Sequence, residues 1–96
     1  MAQYVLLTNW TDQGVRAAKD TVKRVAAARK AWEKLGVKIK DFYWTMGQYD
    51  CVVIVEAPDD ETMTAACVQL CMLGNAKTQT LRAFGEAEME KVLKKI

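Results

Sequence analysis

A small α+β domain built on a four-stranded antiparallel sheet is the fold class that this sequence predicts. Three observations lead there. Short runs of β-forming residues alternate with segments whose apolar residues recur every three or four positions. The single proline and most glycines fall between those segments, where turns and caps belong. A chain of 96 residues, 51% hydrophobic and 27% charged, has the balance of one compact domain, residues 1–96.

Tyr4 to Asn9 (YVLLTN) is the first strand, and it stops at the turn and cap cluster Asn9-Trp10-Thr11-Asp12-Gln13-Gly14. Asp20 or Thr21 then caps a helix whose apolar residues Val22, Val25, Ala28, Trp32 and Leu35 form one stripe, with Gly36 as its C-terminal cap. Lys23, Lys30 and Lys34 line the opposite edge, as on the solvated face of an amphipathic helix. Lys38 to Thr45 (KIKDFYWT) starts in polar/apolar alternation and becomes aromatic, which predicts a second strand. Met46-Gly47-Gln48-Tyr49 turns the chain, and Cys51 to Val55 returns as a third strand, closing a hairpin. Gly47 is the structural turn residue, since a tight turn often needs positive φ.

Pro58 breaks that strand, and Asp59, Asp60 and Glu61 collect negative charge where the positive end of a helix dipole favours it. Met63, Ala66, Cys67, Leu70 and Cys71 are the buried stripe of this second helix, and Gly74-Asn75 closes it. Lys77 to Phe84 alternates again as strand four, with Thr78, Thr80, Arg82 and Phe84 on one face and Gln79, Leu81 and Ala83 on the other. Leu81 and Ala83 are expected to pack under the helices, which sends Thr78, Thr80 and Arg82 to the opposite face. Glu86 to Ile96 is a last helix, acidic early and basic late, with Met89, Val92, Leu93 and Ile96 on its apolar edge.

The resulting order, βαββαβ plus a C-terminal helix, is the split βαβ arrangement called ferredoxin-like. Both long helices then cover one face of the sheet. The third strand, apolar from Cys51 through Val55, reads as buried on both faces. A second subunit's sheet covers the open side far better than the C-terminal helix alone, so a dimer with facing sheets is expected.

Several classes of function are disfavoured. A net charge of +2, from 14 basic and 12 acidic residues, does not give the concentrated positive field that phosphate backbones select. The third strand lacks the aromatics on which RNA-recognition modules stack bases, so no nucleic-acid partner is expected. No apolar run approaches the roughly 20 residues that span a bilayer, and the N-terminus lacks a secretory pattern, so no membrane partner is expected and the predicted location is cytoplasmic. Histidine is absent, which removes the commonest metal ligand and general base. Cys51, Cys67 and Cys71 are an odd count read as reduced, buried thiols, with no metal site and no cofactor expected.

Two readings stand for each candidate site residue. Tyr49 and Asp50 are turn residues, or a phenol and a carboxylate at the mouth of a cavity, able to orient a substrate or move a proton. Arg82 belongs to an internal ion pair, with Asp50 as one candidate partner, or grips a bound carboxylate. Trp10, Phe42, Tyr43 and Trp44 pack core and interface, or line a pocket for a planar ligand.

Gly47-Gln48-Tyr49-Asp50, followed by Val52-Val53-Ile54-Val55-Glu56-Ala57-Pro58-Asp59-Asp60, resembles the GYD-domain family. Asn9-Trp10-Thr11-Asp12-Gln13-Gly14, Lys34-Leu35-Gly36, Leu73-Gly74-Asn75 and Thr80-Leu81-Arg82-Ala83-Phe84 extend the likeness over nearly the whole chain. The resemblance implies a dimeric α+β barrel, an assembly shared by cofactor-independent monooxygenases, muconolactone isomerases, haem-binding relatives and effector domains of some transcriptional regulators. It implies no activity. The leading expectation is a small-molecule-binding or sensory homo-oligomer with a cavity between helices and sheet near Asn9, Trp10, Tyr43, Tyr49, Asp50 and Arg82. The alternatives are a cofactor-free oxygenase or isomerase acting on an aromatic or enolic substrate, and a purely structural assembly module.

Overall fold

A computed structural model describes residues 1–96. The chain runs β1 (Ala2–Trp10), α1 (Asp12–Arg16), a 3₁₀ turn (Ala18–Asp20), α2 (Thr21–Glu33), β2 (Lys38–Trp44), β3 (Cys51–Ala57), α3 (Asp60–Met72), β4 (Ala76–Ala83) and α4 (Glu86–Leu93). The strands form one antiparallel sheet in the order β2-β3-β1-β4, as the ferredoxin-like reading requires. Gly36, Gly47 and Gly74 all have positive φ, which suits the two helix ends and the β2–β3 turn assigned to them.

Alternation along the central strands sorts their side chains. Tyr4, Leu6 and Thr8 of β1 and Cys51, Val53, Val55 and Ala57 of β3 are buried toward the helices. Trp32 of α2, Met63 and Ala66 of α3, and Val37 and Ile39 at the start of β2 complete that core. In β2 the pairing with β3 slips between Ile39 and Asp41, so Ile39 lies opposite Val55 and Phe42 opposite Val53. This bulge puts two residues three apart on one face, which is why the alternation of β2 fades in the sequence.

Four expectations are corrected. In β4, Thr78 pairs with Thr8, Thr80 with Leu6 and Arg82 with Tyr4, so all three share the helix-side face. Pairing with β1 sets this parity, and the sulfurs of α3 meet it: Cys67 Sγ lies 3.2 Å from Thr80 Oγ1 and Cys71 Sγ 3.7 Å from Thr78 Oγ1. Those two cysteines are only half-buried, because the surface they face is polar. Val22 is 66% exposed, since α2 rotates Val25, Ala28 and Trp32 inward and leaves its first turn at the rim. The segment after β1 is not a plain turn but α1, started by Thr11, whose Oγ1 accepts from the Gly14 amide.

The other face of the sheet carries Val5, Leu7, Val52 and Ile54, half-buried, with Tyr43 56% and Leu81 43% exposed. Helix α4 buries none of its own residues, and Met89, Leu93 and Ile96 stay exposed. The molecule is 18 Å deep along its shortest axis, the thickness of one helix layer on one sheet.

Candidate functional site

Between α2, α3 and the helix side of the sheet lies a cleft of about 360 Å³, and 14 of its 19 lining residues are hydrophobic. Its floor is Leu6 and Thr8 of β1, Ile39 and Phe42 of β2, and Cys51 and Val53 of β3. Helix α2 contributes Thr21, Arg24, Val25, Ala28 and Ala31, and the exposed Ala27, Gln69 and Leu73 mark the mouth. The space exists because α2 presents alanine at 27, 28 and 31, where larger apolar side chains would fill the gap.

The α1 segment is fastened to the turn after α3, whose Leu73 and Asn75 line the cleft. Thr11 Oγ1 donates to the Gly74 carbonyl at 2.5 Å, and the Thr11 amide donates to the Asn75 carbonyl at 3.1 Å. Gln13 Nε2 reaches the Leu73 carbonyl at 3.1 Å and Asn75 Oδ1 at 3.0 Å. Gly14 sits so close to Asn75 that an added Cβ would stand 2.0 Å from its carbonyl oxygen. Arg24 braces this segment from the cleft wall, donating from Nη1 to the Ala17 carbonyl at 2.9 Å and from Nη2 to the Gly14 carbonyl at 3.2 Å.

Cys51 forms part of the floor, and its thiol is pushed up to about 11, by burial first and then by the Asp50 carboxylate, with Arg24 pulling the other way. It is a neutral thiol near pH 7 and so a poor nucleophile. All three tryptophans are at or beside the cleft. Trp10 and Trp32 line it. Trp44, stacked at a tilt on Phe42 with centroids 4.7 Å apart, donates from Nε1 to Thr21 Oγ1 at 3.0 Å.

The hairpin residues have a structural task. Asp50 accepts from the Trp10 amide at 2.9 Å, while its own amide donates to the Thr8 carbonyl at 2.9 Å, so the β2–β3 turn is fastened to the end of β1. Thr45 Oγ1 donates to the Tyr49 carbonyl at 2.6 Å. The Tyr49 hydroxyl donates to Gln79 Oε1 at 3.1 Å, and Gln79 pairs with Leu7 on the open side of the sheet. Asn9 and Tyr43 are on that same side.

Arg82 lies at the other end of the sheet, opposite Tyr4, which stands roughly 14 Å along β1 from Thr8 at about 3.4 Å per residue. It pairs with Glu88 at 2.9 Å, not with Asp50; its guanidinium also reaches the Gln3 and Ala83 carbonyls and lies over the Tyr4 and Phe84 rings. That pairing holds the Glu88 carboxyl below its ordinary range. Beside it the Tyr4 hydroxyl donates to Asp60 Oδ1 at 2.5 Å, and burial, then Asp60, pushes the phenol up to about 12. Arg82, Tyr4 and Asp60 border a second recess of about 290 Å³.

Of the six candidate site residues, then, Trp10 lines the main cleft and Asp50 is bonded to its backbone. Tyr43, Tyr49 and Asn9 face the other side of the sheet, and Arg82 belongs to the second recess. Thr8, Thr21, Arg24 and Ala28 were missed. Ala28 and Ala31, three apart on the stripe of α2, were the available signal, because small residues on the inward face of a helix leave room beneath it. No group of three or more His, Cys, Asp or Glu is placed to hold a metal ion.

The family model described as "GYD domain" matches residues 4–93. A Thermus thermophilus protein named "Glutamine synthetase and cystathionine beta-lyase binding protein" is 32% identical over 90 residues, covering 93% of this chain and 95% of that protein. The crystal structure of TTHA0845, also from Thermus thermophilus, is similar at a TM-score of 0.57 and 25% identity, over 88% of this chain and 95% of that one. The crystal structure of MtbAldR shares the fold at a TM-score of 0.68 and 15% identity, over 88% of this chain and 52% of that chain.

Proposed function

We propose that this chain, which belongs to the GYD domain family, is an oligomeric small-molecule-binding protein whose ligand occupies the cleft beneath α2. The cleft carries the proposal. It is concave, mostly apolar and furnished with a few polar groups, which is the usual make-up of a small-molecule site, and its volume falls in the range of such sites. Native mass spectrometry of freshly purified protein tests this: retained mass that disappears in Ala28→Trp, a change that fills the cleft, is the expected result. An unliganded spectrum together with no thermal shift across a metabolite library overturns it.

In the proposed assembly a second copy of the chain covers the open face of the sheet. Val5, Leu7, Val52 and Ile54, flanked by Tyr43 and Leu81, make an apolar surface that gains from burial, and a chain this short gains from association. The proposed location is the cytoplasm; no helix is long and apolar enough to cross a membrane.

The name of the Thermus thermophilus relative favours a second reading, in which a surface of this chain docks on other proteins. Val68, Met72 and Leu73 on the outer side of α3 are exposed and apolar, as such a surface needs. The two readings are compatible, because α3 also borders the cleft mouth.

A further inference from the structure

We infer that the cleft selects an apolar monocarboxylate, its hydrocarbon body lying on Leu6, Val53 and Phe42 and its head group on Arg24, Thr8 and Thr21. The inference rests on the cleft being a ligand site, and it adds the chemistry of the ligand.

Charge comes first. Arg24 is the only charged residue among those lining the cleft. The chain's two ion pairs, Lys40 with Glu56 and Arg82 with Glu88, leave it out. Arg24 is half-buried, and its guanidinium donates to the neutral carbonyls of Ala17 and Gly14. A cation held against an apolar wall without a counter-charge is costly, and an anion supplied by a ligand removes that cost. The guanidinium fork matches a carboxylate in shape as well as sign.

The second observation is independent of charge. Thr8, only 6% exposed, is a polar residue set in the floor of an otherwise apolar cleft. A threonine hydroxyl on that floor can donate a hydrogen bond to a ligand oxygen. Thr21 adds to it: Oγ1 already accepts from Trp44, which leaves its own proton to be donated. Arg24, Thr8 and Thr21 all offer N–H or O–H donors, as an anionic oxygen requires.

The remaining lining sets the limits. One cation balances one negative charge, and there is no second base or glycine-rich loop to hold the further charge of a phosphate ester. Cys51 is a neutral thiol, so the floor does not repel an anion. The Asp50 carboxylate is already bonded to the Trp10 amide behind the floor.

Isothermal titration calorimetry with matched pairs tests this: octanoate against octanol, and 4-phenylbutyrate against 4-phenylbutanol. For at least one pair the carboxylate is expected to bind the wild-type protein at least about tenfold more tightly than the alcohol, the effect of one charge-assisted hydrogen bond. In Arg24→Met the preference is expected to vanish while the alcohol keeps its affinity. Equal binding of acid and alcohol, or a preference that survives Arg24→Met, overturns the carboxylate inference and leaves the cleft as a ligand site. If no member of either pair binds at millimolar concentration, the inference fails along with the apolar character assigned to the ligand. The wild-type comparison stands even if Arg24→Met proves unstable.

Discussion

Gly14 and Gly47 are glycines for different physical reasons, and substitution separates them. At Gly47 the backbone has φ of +100° with nothing within 4 Å of an added Cβ, so alanine meets strain but no clash. At Gly14 the conformation is ordinary helix, but a Cβ would stand 2.0 Å from the Asn75 carbonyl oxygen. Gly47→Ala is therefore expected to lose about 1 kcal/mol in urea unfolding. Gly14→Ala is expected to lose about 3 kcal/mol, because two backbone segments must move apart. Gly47 was legible, since a glycine in a short loop between two strands names its own task. Gly14 was not, because close approach to Asn75 joins positions 61 residues apart and leaves no local pattern. Arg24 was hidden for a related reason: periodicity marks it as polar and adjacent to the stripe, and only the packing of α2 places it on the wall of a cleft.

Between elements, the contact of β1 with α3 makes stability depend on pH. Tyr4 is buried, and its phenol titrates near 12 against an ordinary 10.0, because burial and the Asp60 carboxylate both oppose a phenolate. The unfolded chain releases this proton at lower pH than the folded one. The stabilisation is thus complete below pH 10 and is lost as pH rises from 10 toward 12. Comparing wild type with Tyr4→Phe by chemical unfolding from pH 8 upward isolates it: the difference between them is expected to shift in favour of Phe across that window. The elements themselves were largely readable. Four strands and the three longer helices follow from period, caps and breakers. What escaped was of short range or relative: α1 is five residues long with a glycine inside it, and the β2 bulge disguises alternation. In β4 alternation gives two faces, but only pairing with β1 decides which one meets the helices.

At the scale of the molecule, a single helix layer leaves the opposite side of the sheet apolar and open. Ile54 stands on that side, between Val5 of β1 and Asp41 of β2, and is half-buried in the lone subunit. If a second copy covers this face, Ile54→Lys places an unpaired charge in the interface and is expected to convert dimer to monomer in sedimentation velocity, with the circular dichroism of the fold retained. A wild-type protein that sediments as a monomer at micromolar concentration rejects the assembly. The apolar character of β3 was plain in the sequence. The cleft was foreseen between helices and sheet, but with Trp10 alone of its named residues on the wall, because side-chain size along α2 rather than any motif creates it.

The placement of Trp10, Trp32 and Trp44 around one cavity equips the protein with an optical gauge of its own occupancy. Indole emission responds to the polarity of its surroundings, and no other tryptophan in the chain dilutes the signal. A ligand in the cleft lies against the half-buried Trp10 ring and changes its surroundings, so the colour of the emitted light reports on the bound state without any dye.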